Sequence, residues 1–237
     1  MAKKRFTSKT YLKVLIAVGV LAVIGGGAGT FATFDATTTN AGNTFATGTI
    51  VLQNAVAAGT CLSTGGGTTD TNVNALCDKV FNATVKKPGD IGSGHVTLQN
   101  EGSLAATTLT LTKSLCTDGD AVGETYHGTG SVCGALNFYV QEWTSNTFLT
   151  PFKCWYGGSA DAGVTCDPTF ATSPATLAGF GTSPVPINAG PGATAFTALG
   201  GAADTRYFTV AVQLPNSAGN TLQGRQAQIN LSWQESQ

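Results

Sequence analysis

The residues able to do acid–base or nucleophilic chemistry are few in this 237-residue chain. Its two histidines are His95 and His127, and no HExxH pair of zinc ligands occurs. Ser93 and His95 share the stretch "GSGH". Nucleophilic catalysis also needs a group that orients the histidine and an oxyanion hole, and the stretch supplies neither. A histidine at the start of a strand is the expectation. Asp118, Asp120 and Glu124 cluster in "CTDGDAVGE". Hard cations such as calcium take clustered carboxylates, but the EF-hand pattern is incomplete here, so a solvated loop is expected. Trp143, Trp155, Tyr156 and Trp233 could stack on sugar rings, yet sandwich cores use the same rings, and core or interface packing is expected. No catalytic residue, cofactor or metal is assigned, and the chain is not expected to be an enzyme.

The remaining reactive type is cysteine, at Cys61, Cys77, Cys116, Cys133, Cys154 and Cys166. No pair has CxxC spacing, which disfavours zinc. An even count in an exported chain reads as disulfides, for which about 15 pairings exist in principle. Neighbour pairing is expected: 61–77, 116–133 and 154–166. Each bond would close a loop of roughly 11–16 residues, worth about 3 kcal/mol if unstrained.

Export itself is read from the first residues. Lys3, Lys4, Arg5, Lys9 and Lys13 precede any acid, and Val14 to Ile24 is an unbroken apolar run. Gly25, Gly26, Gly27 and Gly29 then break a helix, and Thr30-Phe31-Ala32 has the small-x-small form of a cleavage site. The sequence predicts a signal peptide over 1–32, cut between Ala32 and Thr33. The uncharged run Val14 to Phe34 is long enough for an uncleaved anchor, but the glycines and the small-x-small site favour cleavage, leaving no membrane segment. "GGGAGT" lacks the last glycine of a dinucleotide loop. After residue 32 the chain carries 13 acids and 7 bases, a net charge of −6. That excludes nucleic acid as a natural partner, since phosphate binding needs a basic surface.

The elements that must position these groups are strands. "TLTLTK" within 104–113 alternates leucine and threonine with period 2, the sign of a strand buried on one side. Similar segments are predicted at 44–53, 79–86, 95–100, 135–143, 147–150, 152–156, 206–214 and 227–234, separated by Gly, Asn and Pro turns. Pro88-Gly89-Asp90 reads as a type II-like turn. The expected fold is an all-β, jelly-roll-like antiparallel sandwich spanning 45–237, with loop insertions at 55–76 and 157–203.

Three separated stretches are similar to one family. Residues 25–52 resemble the signal-to-first-strand region of the TasA/camelysin family through Phe34, Phe45, Ala46, Gly48, Thr49 and Ile50. Residues 85–111 resemble its "PGD…N.Gsl" element through Pro88, Gly89, Asp90, Asn100, Gly102, Ser103 and Leu104. Residues 220–237 resemble its closing strand, with Gln223-Gly224 ahead of a run ending near Trp233 and Gln234. The match covers the two ends and about a third of the chain, and 114–205 shows none.

The resemblance implies a jelly roll exported through a dedicated signal peptidase and polymerised into biofilm-matrix or pilus-like fibres by donor-strand complementation. The donor would be the mature amino-terminal segment 33–44, with Thr33, Phe34, Asp35, Ala36, Thr37, Thr38 and Thr39 as its strand and Asn40 to Asn43 as a hinge. The principal partner would be further copies of the same chain. The residues themselves leave two other readings: a monomeric exported sandwich that binds carbohydrate or a cell-envelope component, and a secreted metallopeptidase, for which no ligand set is present.

Overall fold

The computed structural model describes residues 48–64, 77–82, 87–161, 165–167, 169–170, 175–187, 195–201 and 203–237, together with the paired dipeptides at 39–40 and 43–44. The chain divides into two compact units, Met1–Thr47 and Gly48–Gln237. In the first unit β1 (Thr39–Asn40) pairs with β2 (Asn43–Thr44), Thr39 opposite Thr44 and Asn40 opposite Asn43. Asn40 and Asn43, the two ends of the expected hinge, are thus paired with each other. The signal peptide, the cleavage site and donor residues 33–38 lie outside the described residues.

The second unit is an antiparallel β-sandwich, the class that the alternating pattern predicts. In chain order its strands are β3 (Leu52–Val56), β4 (Gly59–Leu62), β5 (Ile91–Asn100), β6 (Thr108–Lys113), β7 (Thr117–Asp120), β8 (Asn137–Trp143), β9 (Pro151–Tyr156), β10 (Ser159–Asp161), β11 (Thr165–Cys166), β12 (Val185–Pro186), β13 (Thr205–Gln213), β14 (Arg225–Gln228) and β15 (Leu231–Ser236). One layer has six strands in the order β4-β3-β5-β13-β8-β9, and the other has three, β12-β6-β15. Two ribbons, β7-β14 and β10-β11, complete the described pairings within this unit.

Period-2 alternation builds the core between the layers. Val96 and Leu98 of β5, Phe208 and Val210 of β13, and Phe138 and Val140 of β8 meet Leu109 and Leu111 of β6, all of them fully buried. The ring of Trp233 lies 4.9 Å from that of Phe208, which seats β15 over β13. The opposite face of the six-stranded sheet carries a second small core of Tyr139, Cys166, Phe170 and Ala211. That explains why β8 and β13 are buried on both faces.

The disulfides are Cys61–Cys77, Cys116–Cys133 and Cys154–Cys166, the neighbour pairing read from the spacing. Three such bonds fit an oxidising environment. Among the described residues no helix is long and apolar enough to cross a membrane.

Several boundaries differ from the sequence reading. The stretch 55–62, read as loop, holds the end of β3 and all of β4. Residues 147–150, read as strand, form the connection between β8 and β9. The described part of the predicted strand 79–86 is not a strand, although Val80 and Phe81 pack on the core. The expected insertion 157–203 contributes Leu177, Phe180, Ile187 and Phe196 to the main core. The closing strand splits in two around Ile229-Asn230.

Candidate assembly surface

The place where the chain enters the sandwich is held by a clasp. Asn100 is buried at the end of β5, and its amide nitrogen donates to the carbonyls of Leu104 at 2.6 Å and Thr197 at 3.1 Å. Its side-chain oxygen accepts from the Gly102 amide at 2.8 Å. This closes an Asx-type turn. Gly102 must be glycine, because a Cβ there would overlap the Thr49 carbonyl oxygen. Thr49 in turn donates its amide to the Ser103 hydroxyl at 3.0 Å and accepts from the Leu104 amide at 3.1 Å. The amide of Glu101 donates to Val51. The motif residues Gly48-Thr49-Ile50 and Asn100 to Leu104, far apart in sequence, therefore meet as one structural unit.

The Pro88-Gly89-Asp90 turn is a second fixed corner. Gly89 takes φ +91°, and the Asp90 amide donates to the Lys87 carbonyl at 3.0 Å, the geometry of a type II turn. The Gly89 amide donates to Leu214, which ties the turn to the end of β13.

The smaller layer ends in β15. Leu231, Trp233 and Glu235 point toward the core, opposite Lys113, Leu111 and Leu109 of β6. The Trp233 indole nitrogen and both Glu235 carboxylate oxygens are buried without a hydrogen-bond partner among the described residues. Burial pushes the Glu235 carboxyl up to about 7. Sequence reasoning had placed Trp233 as a packing residue and had not singled out Glu235.

A buried ion pair joins two neighbouring strands of the larger layer. Arg206 of β13 donates through Nε and Nη2 to the two oxygens of Glu142 of β8, each at 2.7 Å. Its Nη1 donates to the Ile187 carbonyl at 2.5 Å, and the Trp155 indole donates to Glu142 at 2.6 Å. Trp155 is therefore engaged in the interior, and Tyr156 packs on Phe138 and Phe180. This group was missed in the sequence. The signal that could have found it is phase: Arg206 and Glu142 occupy inward positions of alternating strands.

The other candidate residues are brought to separate places. His95 lies on the outer face of β5, with Nδ1 at 2.8 Å from the Thr209 hydroxyl, which also accepts from the Trp143 indole at 2.8 Å. Burial lowers the His95 pKa. The imidazole stacks on Phe148 at 3.8 Å, and Trp143 and Tyr207 meet the same phenyl ring edge to face. These rings are engaged with one another. His127, outside the strands, has Nδ1 2.7 Å from the Gly224 carbonyl oxygen and faces Asp120 at 3.9 Å.

The carboxylates of the expected loop have other tasks. Asp118 accepts from the Ser131 hydroxyl at 2.6 Å and from the Cys133 amide at 3.0 Å, and so supports Ser131, the N-cap of the short helix Val132–Ala135. Its desolvation works upward, but those hydrogen bonds and Arg225 outweigh it and hold the pKa below the ordinary value. Asp120 pairs with Arg225. Among the described residues no group of three His, Cys, Asp or Glu side chains could hold a metal ion.

No family model matches the chain, and no curated protein matches it.

Proposed function

We propose that the chain is an exported structural subunit that polymerises into extracellular filaments by donor-strand complementation. The observation that carries this reading is the inequality of the two layers. Among the described residues, three hydrogen-bonded strands face six, and the outermost of the three, β15, has β6 as its sole strand neighbour. A sandwich with a short layer gains main-chain hydrogen bonds and core cover from an added strand. The amino-terminal segment 33–44, uncharged except at Asp35, has the composition of such a strand. The clasp at Thr49 supports the same reading, because it fixes the point from which that segment departs. The three disulfides fit the oxidising exterior in which such a fibre would work.

The resemblance of the two chain ends to the TasA/camelysin family agrees with this assignment. Signal peptidase would act before assembly, releasing the segment that begins at Thr33.

The test is deletion of residues 33–43 from the exported chain. The deleted protein should fold and keep its three disulfides, and electron microscopy of concentrated material should show discrete particles in place of filaments. Filaments of unchanged length and abundance from the deleted chain would overturn the proposal.

A further inference from the structure

Four described strands close the edges of the two layers: β4 and β9 of the larger, β12 and β15 of the smaller. Natural sheets protect their edges with short strands, proline, bulges, charged side chains or a covering segment, which a disulfide can hold in place. Three of these edges are protected. β4 has four residues, and its Cys61 is bonded to Cys77. β9 begins at Pro151, shifts register twice against β8, and is tied by Cys154 to Cys166. β12 has two residues, one of them Pro186. β15 has six residues without proline or cysteine, in unbroken register with β6 from Leu231 opposite Lys113 to Ser236 opposite Thr108.

The direction of its main-chain groups follows from the ladder. The Ser114 amide donates to the Asn230 carbonyl and the Thr107 amide to the Ser236 carbonyl. In an antiparallel pair, residues that bond the neighbour alternate with residues whose amide and carbonyl point the other way. Ser232 and Gln234 therefore face β6, and Leu231, Trp233 and Glu235 present their main-chain groups outward. The same positions carry the orphaned indole N–H and carboxylate oxygens. Buried polar groups without partners are rare and ask for an explanation.

Among the described residues no neighbouring charge supplies one. Of the charged groups facing this interior, Lys113 stands at the other end of β6, opposite Leu231, while Arg206 and Glu142 satisfy each other. Burial alone raises the Glu235 carboxyl. What both orphans lack is a group able to donate to a carboxylate and accept from an indole. A hydroxyl does both. The segment Thr33 to Thr39 holds threonine at 33, 37, 38 and 39.

We infer that the outer edge of β15 is the acceptor edge, that it takes residues 33–39 of a second copy as an added strand, and that threonine hydroxyls of that strand become the partners of the Trp233 indole and the Glu235 carboxylate. This rests on the filament reading and names its acceptor. The edges of β4 and β9 then remain closed by their disulfides, and growth has a single direction.

The experiment installs a benzophenone amino acid in place of Gln234, Thr60 or Phe152, exposed positions on β15, β4 and β9, in the full exported chain. Filaments are irradiated, and the joined peptides are identified by mass spectrometry. The probe at 234 should join residues 33–39 of a second copy. Joining from 60 or 152 instead, or none from 234 in intact filaments, would overturn this inference and leave the filament reading standing. Filaments that survive deletion of 33–43 would sink the filament reading itself. Trp233→Phe keeps a six-membered aromatic ring and removes the N–H with the five-membered ring. It should raise the critical concentration for assembly about tenfold, the loss of one buried hydrogen bond. An unchanged critical concentration in a variant that melts cooperatively would count against the indole's part, and if the variant fails to fold the cross-link decides.

Discussion

At the scale of single residues, the interior of this sandwich contains charged groups in two different situations. Arg206 and Glu142 satisfy each other in a fork-to-fork pair, with side-chain exposures of 9% and 6%. Removing one partner of such a pair leaves the other buried and uncompensated. Arg206→Ala is therefore expected to cost about 3–5 kcal/mol, read from urea unfolding, whereas replacing both residues by apolar side chains of similar volume should cost far less. Glu235 has no partner among the described residues, and its behaviour depends on pH. Its carboxyl titrates near 4.5 when unperturbed and at about 7 in the folded chain. Between these values the folded state keeps a proton that the unfolded state has released. The contribution to stability is full below about 4.5, declines as the pH rises, and is lost above about 7. Glu235→Gln should remove that decline, so that urea midpoints at pH 5 and pH 8 move closer together than in the parent. All three residues share one feature visible in the sequence. Each sits in the apolar phase of an alternating strand, in step with Phe208, Val140 or Trp233. Phase marks them as inward-facing; it does not say which of them will find a partner, because the partner comes from another strand.

At the scale of elements, the strands with regular alternation were legible and the irregular ones were not. "TLTLTK" and "RYFTVAVQ" announce β6 and β13 because every second residue is large and apolar. β4, "GTCL", has no such rhythm and follows Ala57-Ala58, so its sequence resembles a loop. Its strand state comes from pairing with β3, a tertiary effect. Phe148 looked like a strand residue, yet it takes φ +53° to lay its ring on His95. The core residues of 157–203 are isolated apolar side chains between turns, with no period to detect. The clasp is intermediate: its residues form recognisable short motifs, but their meeting is a property of the fold. Gly102→Ala is the probe of that meeting. A methyl group there must displace the Thr49 carbonyl, at a cost of about 1–3 kcal/mol for overpacking. Amide exchange should accelerate at Leu104 and Thr49 well before the centre of β13 responds, since local opening is cheaper than global unfolding.

At the scale of the whole molecule, the proposed contact is heterologous: the surface that gives a strand differs from the surface that receives one. Repetition of such a contact yields an open chain unless the rotation closes a ring. That asymmetry makes a prediction that two-fold or random edge-to-edge pairing does not make. A copy lacking residues 33–43 can receive a strand on β15 but has none to give. Mixed into the parent protein, it should occupy one end of a growing filament and stop growth there. At about one truncated copy per ten intact copies, mean filament length should fall to the order of ten subunits, because a directional chain is ended by a single incompetent member. Length distributions from electron micrographs, measured across several mixing ratios, check this directly. If the contact were a symmetric pairing of β15 edges, association would close at a two-fold dimer, and truncated copies would pair like any other. A reciprocal truncation completes the argument. Copies in which β15 is disabled but residues 33–44 are intact should stop growth at the opposite end, and the two kinds of terminator together should shorten filaments more than either alone.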